Sequence, residues 1–171
     1  CVAQAAVDKA NRSGLNAEWR ELRGVPHGGV SIWLDASDVV LLTSLHEGSP
    51  NIIKEALACD LPVVSVDVGD VRERIDGIAG CHIALPDPED LRIKLSLVAA
   101  NKGRIAGRTK MRSLSLEQTA LHLGSFYREV VESHQRLGLA SDTMINPSIL
   151  VDFCLSILTR RKHFSGQGMR R

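Results

Sequence analysis

The segment of residues 38–62 constrains the fold of this chain more than any other stretch. Residues 39–42 form a short apolar run, which is typical of a strand buried in a parallel sheet. A polar loop follows, and Ser49 and Pro50 have the residue types that favour an N-cap and the first position of a helix. The segment therefore predicts a strand, a loop of residues 43–49 and a helix that opens at Pro50.

The start of this helix is a candidate anion site. Backbone N–H groups at a helix N-terminus lack intrahelical partners and carry partial positive charge. Glu47 precedes the helix, and Glu55 lies about 7 Å along the helix axis from Pro50, at a rise of about 1.5 Å per residue. Two carboxylates therefore flank a place that suits phosphate. A nucleoside diphosphate that carries a sugar fits this layout, because each carboxylate can accept hydrogen bonds from hydroxyl groups.

At these residues the chain resembles the retaining nucleotide-sugar glycosyltransferases of the two-domain GT-B type. A pair of glutamates alone is common in helix-rich proteins, so the combined string is what makes the resemblance specific. The string begins with Ser44-x-x-Glu47-Gly48-x-Pro50 and continues with Glu55-Ala56-x-Ala58, so that seven residues separate the two glutamates. It ends with Pro62-Val63-Val64. The resemblance covers about residues 15–135 and implies a Rossmann-like domain, the C-terminal, donor-binding half of a GT-B enzyme.

The resemblance implies roles for individual residues. It makes Glu47 the catalytic candidate beside the donor sugar, and it places Glu55 at the ribose of the nucleotide. The other donor-binding candidates are Ser44, Gly48, Ser49, Pro50, Asn51, Ile52, Ile53 and Gly69. The reaction it implies is transfer of a sugar with retention of configuration, without a metal ion or any other cofactor.

Each candidate keeps a structural alternative. Glu55 has the alternative of a solvated helix residue, and Glu47 that of a carboxylate that stabilises the helix dipole. Residues 48–51 are also explained as a helix cap, and Ser44 is also explained as a residue that caps its own loop. At least one of Ile52 and Ile53 is expected to pack in the hydrophobic core. Asp70 stands where the resembled family often has a second glycine, and we expect it to cap the next helix. His46 is not assigned a catalytic role.

Strands that alternate with helices predict an open parallel α/β sheet flanked by helices. Ligands of such sheets bind outside the carboxyl ends of the strands, which here lead into loops 43–49 and 67–70. We expect residues 1–140 to form the donor-binding domain and residues 141–171 a C-terminal helix with a basic tail. Strands are expected at residues 17–22, 39–42, 61–66 and 81–85, and helices at 2–12, 30–36, 50–58, 71–75, 89–101 and 115–136.

Composition excludes several functional classes. Net charge is +1, so a dedicated nucleic-acid binder is not expected. The histidines and the four cysteines show no metal-ligand spacing, and we expect reduced thiols in a cytoplasmic protein. No apolar run is long enough to span a bilayer. The chain begins with Cys1 inside a predicted helix, so we expect a fragment whose partner is a missing N-terminal acceptor domain.

Two questions stay open at this level. The apolar stripe from residue 146 predicts a helix that packs on the protein or, with the basic residues after it, touches the inner face of the membrane. The second question is function. The alternative to an enzyme is a non-catalytic module kept for nucleotide-sugar, partner or membrane contact. A nucleotide-sugar epimerase on the same half-fold is disfavoured because such enzymes lack the Ser-x-x-Glu-Gly-x-Pro string.

Overall fold

The computed structural model describes residues 1–101 and 103–136. The chain divides into two compact units, Cys1–Met111 and Arg112–Arg171. The first unit contains helices α1 (Val2–Arg12), α2 (His27–Asp35), α3 (Asn51–Ala58), α4 (Val71–Ile75), α5 (Pro88–Ala100) and α6 (Gly107–Met111), and strands β1 (Val40–Leu42), β2 (Val63–Val66) and β3 (His82–Ala84).

The strands of the first unit form a parallel sheet in the order β1-β2-β3. Val40 lies opposite Val63, and Val64 lies opposite His82. All residues of β2 are buried because this strand has a neighbour on each side, whereas β1 is half-buried at an edge rather than fully buried as predicted. The predicted open parallel α/β sheet flanked by helices, with its Rossmann-like architecture, is confirmed.

Helices cover both faces of the sheet. Val63 packs with Ile53 and Leu57 of α3, whereas Val64 packs with α1 and α5, because successive strand side chains point to opposite faces. Leu91 and Leu95 of α5 are buried, as their helical spacing predicts. The sheet is therefore held between two apolar layers, and its loops are left to carry polar groups.

Two local predictions are wrong. Residues 17–22 form no strand, because the side chain of Asn11 takes both backbone groups of Ala17: its Nδ2 donates to the carbonyl at 2.9 Å, and its Oδ1 accepts the N–H at 2.8 Å. Helix α2 begins at His27 rather than at residue 30, because Pro26 occupies the N-cap position and starts the helix directly. The remaining predicted helices and strands are present, with ends shifted by a residue or two.

The second unit contains a 3₁₀ turn, Arg112–Leu114, and helix α7, Leu116–Arg136. Several apolar side chains of α7, including Leu123 and Tyr127, are exposed. The predicted domain boundary near residue 140 and the predicted helix from residue 146 lie outside the described residues. Within the described part of the chain, every helix is too short or too polar to cross a bilayer.

Candidate functional site

An open cleft of about 630 Å³ lies at the carboxyl edge of the parallel sheet. Its lining residues are Leu45, His46, Glu47 and Gly48 from the loop after β1, and Asp67, Val68 and Gly69 from the loop after β2. The carboxyl ends of parallel strands meet at one edge of a sheet, so these loops are neighbours in space. The cleft therefore lies where the sequence predicts a ligand.

The two loops touch each other through their backbones. Gly69 has a φ of +55°, and a Cβ atom at this position would lie 2.2 Å from the carbonyl oxygen of Gly48. The N–H of Asp70 donates to that same carbonyl at 3.0 Å. Only glycine fits such a left-handed position so close to another backbone. Gly69 thus sets how near the second loop comes to the first.

Helix α3 begins at the inner end of the first loop. It starts at Asn51, with the buried Pro50 at the N-cap position, one residue later than predicted. Among the described residues no side-chain oxygen caps this helix start. Within this first turn the N–H of Ile53 donates to the carbonyl of Pro50 at 3.2 Å, and the helix start keeps the partial positive charge of its dipole.

Ser49 and Asp70 do not cap their helices as the sequence suggests. The Ser49 hydroxyl donates to Oδ2 of Asp70 at 2.7 Å, and Arg74 Nε donates to the same oxygen at 2.9 Å. Asp70 does occupy the N-cap position of α4, but its side chain makes no capping bond there within the described structure. A hydrogen bond to a charged carboxylate is stronger than one to a neutral N–H, which explains why Ser49 turns away from α3.

The pKa of Asp70 reflects these contacts. Partial burial of the carboxyl group acts to raise its pKa. The hydrogen bonds from Ser49 and Arg74, together with the charges of Arg74 and Lys54, outweigh that effect and hold the pKa below its usual range. Asp70 is therefore the charged centre of a small polar cluster beside the cleft.

The predicted site residues fall into three groups. Glu47, Gly48 and Gly69 line the cleft. A second group is outside the lining set but at least partly accessible to solvent. Its members are Ser44, Ser49, Asn51, Ile52 and Glu55. The third group is buried: Pro50 and Ile53 are closed off from solvent, and Ile53 packs in the core, the alternative that its sequence position left open.

Glu55 stands apart from the cleft, on the outer surface of α3. Its side chain is 31% exposed, and its Oε1 lies 3.9 Å from Nδ1 of His27 on helix α2. Glu47 therefore lines the cleft, whereas Glu55 lies outside the lining set and is the fifth residue of α3.

Sequence reasoning missed Asp67 as a site residue. Asp67 directly follows β2 and lines the cleft together with Glu47. Its Oδ2 accepts hydrogen bonds from Arg72 Nε at 2.9 Å and Nη2 at 2.7 Å. These bonds raise the pKa of the Arg72 guanidinium. Its position at the end of a predicted strand was a signal that could have identified Asp67.

The ionisable groups that line the cleft are His46, Glu47 and Asp67, so two acids and no Lys or Arg face it within the described structure. Carboxylates are acceptors, and a cleft lined by them suits a ligand rich in hydroxyl groups. No group of three or more His, Cys, Asp and Glu side chains among the described residues is arranged to hold a metal ion. The chemistry of this edge is therefore acceptor-rich in the cleft and donor-rich at the adjacent helix start.

Comparisons with known proteins show what the chain is similar to. Residues 4–101 match the family described as Glycosyl transferases group 1. The chain is also 29% identical over 101 residues to a D-inositol 3-phosphate glycosyltransferase of Kribbella flavida, a match that covers 58% of this chain and 24% of that protein. No solved structure matches the chain. The family match contains the sheet, α3 and both loops of the cleft.

Proposed function

This chain belongs to the group 1 glycosyl transferases, and from that membership we propose that it supplies the donor-binding half of a retaining GT-B glycosyltransferase. Its parallel sheet flanked by helices is the Rossmann-like architecture of one half of such an enzyme. The match spans about a quarter of the length of the related inositol-phosphate glycosyltransferase. The proposal therefore assigns the acceptor to a domain that lies outside this chain.

The observation that carries the proposal is the adjacency of an acidic cleft and an uncapped helix start. In the proposed complex the donor sugar occupies the cleft, where Glu47 and Asp67 accept hydrogen bonds from its hydroxyl groups. The diphosphate lies at the start of α3, where no described side chain caps the helix and the helix dipole favours an anion. Ser44, Ser49, Asn51 and Ile52 are accessible residues that border this path.

Glu55 completes the path at the nucleotide end. Its half-buried carboxylate is able to accept both hydroxyls of a ribose, and charged hydrogen bonds of this kind are the stronger class. In the proposed complex Glu47 and Glu55 contact opposite ends of the ligand, which carries a sugar at each end of its diphosphate. His27 lies within 3.9 Å of Glu55 and borders the same position.

The proposed reaction exchanges one bond at the anomeric carbon for another. The bond from that carbon to the diphosphate oxygen breaks, a bond to an acceptor hydroxyl oxygen forms on the same face, and the proton of that hydroxyl passes to the departing diphosphate oxygen. The helix start stabilises the negative charge that develops on the leaving diphosphate. Glu47, beside the sugar, stabilises positive charge on the reacting carbon. No step requires a metal ion.

A binding experiment on the full chain tests the donor site. UDP-glucose, GDP-mannose and the free diphosphates are titrated calorimetrically against the wild type and the variants Glu55→Ala and Glu55→Gln. We expect binding of the preferred donor to weaken about tenfold or more in both variants, because a charged hydrogen-bond partner is lost. The matched control is Glu89→Ala on α5, a glutamate that pairs with Lys9 and Arg92 instead. Equal donor affinity in the wild type and the Glu55 variants contradicts the proposal.

A second measurement separates transfer from binding alone. The chain is combined with candidate acceptors and the donor that binds, and the product is analysed for the configuration of the new bond. Retention of configuration supports the proposed class of enzyme. Inversion contradicts it, whereas donor binding without transfer is expected of a chain that supplies the donor-binding half alone.

A further inference from the structure

Two residues that are distant in sequence join the loops of the cleft through their side chains. Ser49 ends the loop after β1, and Asp70 ends the loop after β2. The Ser49 hydroxyl donates to Asp70 Oδ2 at 2.7 Å across 21 residues of sequence. The contact is therefore a bridge between two separate loops, not a local turn.

The bridge is reinforced from both sides. Lys54 Nζ, in the first turn of α3, donates to the Ser49 hydroxyl oxygen at 3.1 Å. Arg74 Nε, on α4, donates to Asp70 Oδ2 at 2.9 Å, and the Asp70 and Arg74 side chains are only 21% and 26% exposed. The other carboxylate oxygen, Oδ1, is shut off from solvent without a partner among the described residues, so the carboxylate is held through Oδ2.

The bridge lies next to the backbone contact between the same loops. Gly48 O accepts the Asp70 N–H at 3.0 Å and lies against Gly69. Gly48 and Gly69 both line the cleft, whereas the Ser49 and Asp70 side chains lie outside its lining set. A change in the bridge therefore moves residues that line the cleft, even though the bridge itself does not line it.

We propose that Asp70 is a positioning residue of the donor site: by accepting the hydroxyl of Ser49, it fixes the separation of the two loops and hence the shape of the cleft. Asp70 touches neither the sugar nor the reacting atoms in this proposal. Its effect on the donor rests on the proposed function, but its coupling of the loops does not. The two parts can therefore be tested separately.

Hydrogen exchange of the unliganded full chain tests the coupling. Exchange is followed by mass spectrometry in peptides that cover residues 43–50 and 67–71. The variants are Ser49→Ala, Asp70→Ala and the double variant, with Ser49→Thr as the conservative variant that keeps a hydroxyl and Glu89→Ala as a carboxylate removed elsewhere. We expect each single variant to raise exchange about threefold or more in both loops, and the double variant to raise it no further, because one shared interaction is lost.

The pattern across the variants distinguishes positioning from general destabilisation. Ser49→Thr is expected to restore wild-type exchange, and Glu89→Ala to leave both loops unchanged. Exchange that rises only in the loop that carries the substitution overturns the proposal. The proposal is also overturned if the increase in exchange rate of the double variant equals the product of the two single increases, because the free-energy effects of independent sites add.

Donor affinity tests the consequence for the site. UDP-glucose and GDP-mannose are titrated against the same variants. We expect Ser49→Ala and Asp70→Ala to weaken the preferred donor about threefold to tenfold, and the double variant by no more than either single variant. If the loops loosen and affinity stays at the wild-type value, Asp70 does not position the donor site. If the wild type binds neither donor, the proposed function fails, while the exchange data still decide the coupling.

Discussion

The two ends of helix α3 are treated in opposite ways by the rest of the chain. At the start, Pro50 occupies the N-cap position and the described structure supplies no side-chain cap. At the end, Arg108 Nε donates to the carbonyl of Ala58 at 2.9 Å, and Arg104 Nη1 reaches the carbonyl of Cys59 at 3.5 Å. Cations suit the C-terminal end of a helix dipole, and anions suit the N-terminal end. Arginine side chains therefore fill the C-terminal end of α3, whereas its N-terminal end is left unfilled by side chains within the described structure.

The filled end belongs to a wider arrangement of residues 104–111, which we call the strap. Arg104 also donates to the carbonyls of Leu34 and Asp35 at the end of α2. Lys110 Nζ donates to the carbonyls of Glu73 and Asp76 at the end of α4, at 2.8 and 2.7 Å. Three helices are therefore tied at their C-terminal ends by one segment. This difference shows that a helix can be anchored firmly at its C-terminal end while no described side chain caps its start.

The largest loss of stability is expected from Gly69→Ala, in the loop next to the N-terminal end of α3. The new Cβ would lie 2.2 Å from Gly48 O and 2.8 Å from Glu47 O, at a φ of +55° that disfavours alanine. Because all the crowding atoms are backbone, the loops must move apart, and we expect the free energy of unfolding to fall by about 3 kcal/mol. Urea denaturation measures the change.

Gly48→Ala is the matched control for that substitution. A Cβ at Gly48 meets nothing within 4 Å among the described residues, so the free energy of unfolding should change by about 0.5 kcal/mol or less. Because Gly48 lines the cleft, we expect this variant to weaken donor binding while it folds normally. Equal losses of stability in the two variants would contradict the difference that we assign to these glycines.

The next largest loss of stability is expected from Gly107→Ala, in the strap that packs at the C-terminal end of α3. A Cβ there would lie 2.7 Å from the carbonyl oxygen of Leu57, so helix α6 must shift away from α3. We expect a loss of about 1–3 kcal/mol, the usual cost of overpacking. Gly28→Ala on α2 meets no atom within 4 Å in the described structure and serves as the control, with no loss expected. Calorimetric melting temperatures measure both, and an unchanged melting temperature for Gly107→Ala would show that the strap packs loosely.

A smaller effect is expected from Arg108→Ala, which sharpens the comparison between the ends. The side chain donates to Ala58 O at 2.9 Å and lies 3.4 Å from Asp60 Oδ2, but it is 64% exposed. Solvent screening reduces the value of such an ion pair, so we expect a loss of about 1 kcal/mol in urea denaturation. Donor affinity should not change. The control is Arg20→Ala, which removes an exposed ion pair with Glu18. A fall in donor affinity in Arg108→Ala would show that the two ends of α3 are not independent.

The sequence predicts the anchored framework of this protein better than its loops. Apolar runs and helical spacing are sufficient for β2, α3 and α5, because burial decides these elements and burial follows from local pattern. The edge of the sheet at which the cleft lies also follows from the sequence, because the loops after parallel strands meet at the carboxyl edge. These inferences need no knowledge of distant contacts.

The errors arise where a distant side chain competes with a local rule. Ser49 has the composition of a helix cap, but Asp70 attracts its hydroxyl from a different loop. Residues 17–22 have the composition of a strand, but Asn11 takes the backbone groups of Ala17. The strap was not predicted either, because its hydrogen bonds join Arg104 and Arg108 to carbonyls at least 45 residues away. Local sequence patterns carry no signal for such pairings.

The smallest predicted effect is a pH dependence at the unfilled end of α3. The hydrogen bonds and cations around Asp70 hold its pKa below the usual value for aspartate, which is about 3.9 in unfolded chains. A carboxyl group whose pKa is depressed on folding contributes stability above its unfolded pKa and loses it as pH falls through the lower folded pKa. The stability advantage of the wild type over Asp70→Asn should therefore be constant from pH 7 to about pH 5, and it should shrink below about pH 4.

Glu89 supplies the matched control for this titration, because its pKa is also depressed, by hydrogen bonds from Arg92 and Lys9. The Glu89 side chain is 48% exposed, whereas the Asp70 side chain is 21% exposed. Urea denaturation of Asp70→Asn and Glu89→Gln is followed from pH 7 to pH 3 at low salt and again with about 0.5 M salt. Because salt screens exposed charges more strongly than partly buried ones, it should remove most of the pH dependence at Glu89 and less of it at Asp70. A stability difference at Asp70 that does not vary with pH would mean that the shape of the side chain, and not its charge, holds the two loops together.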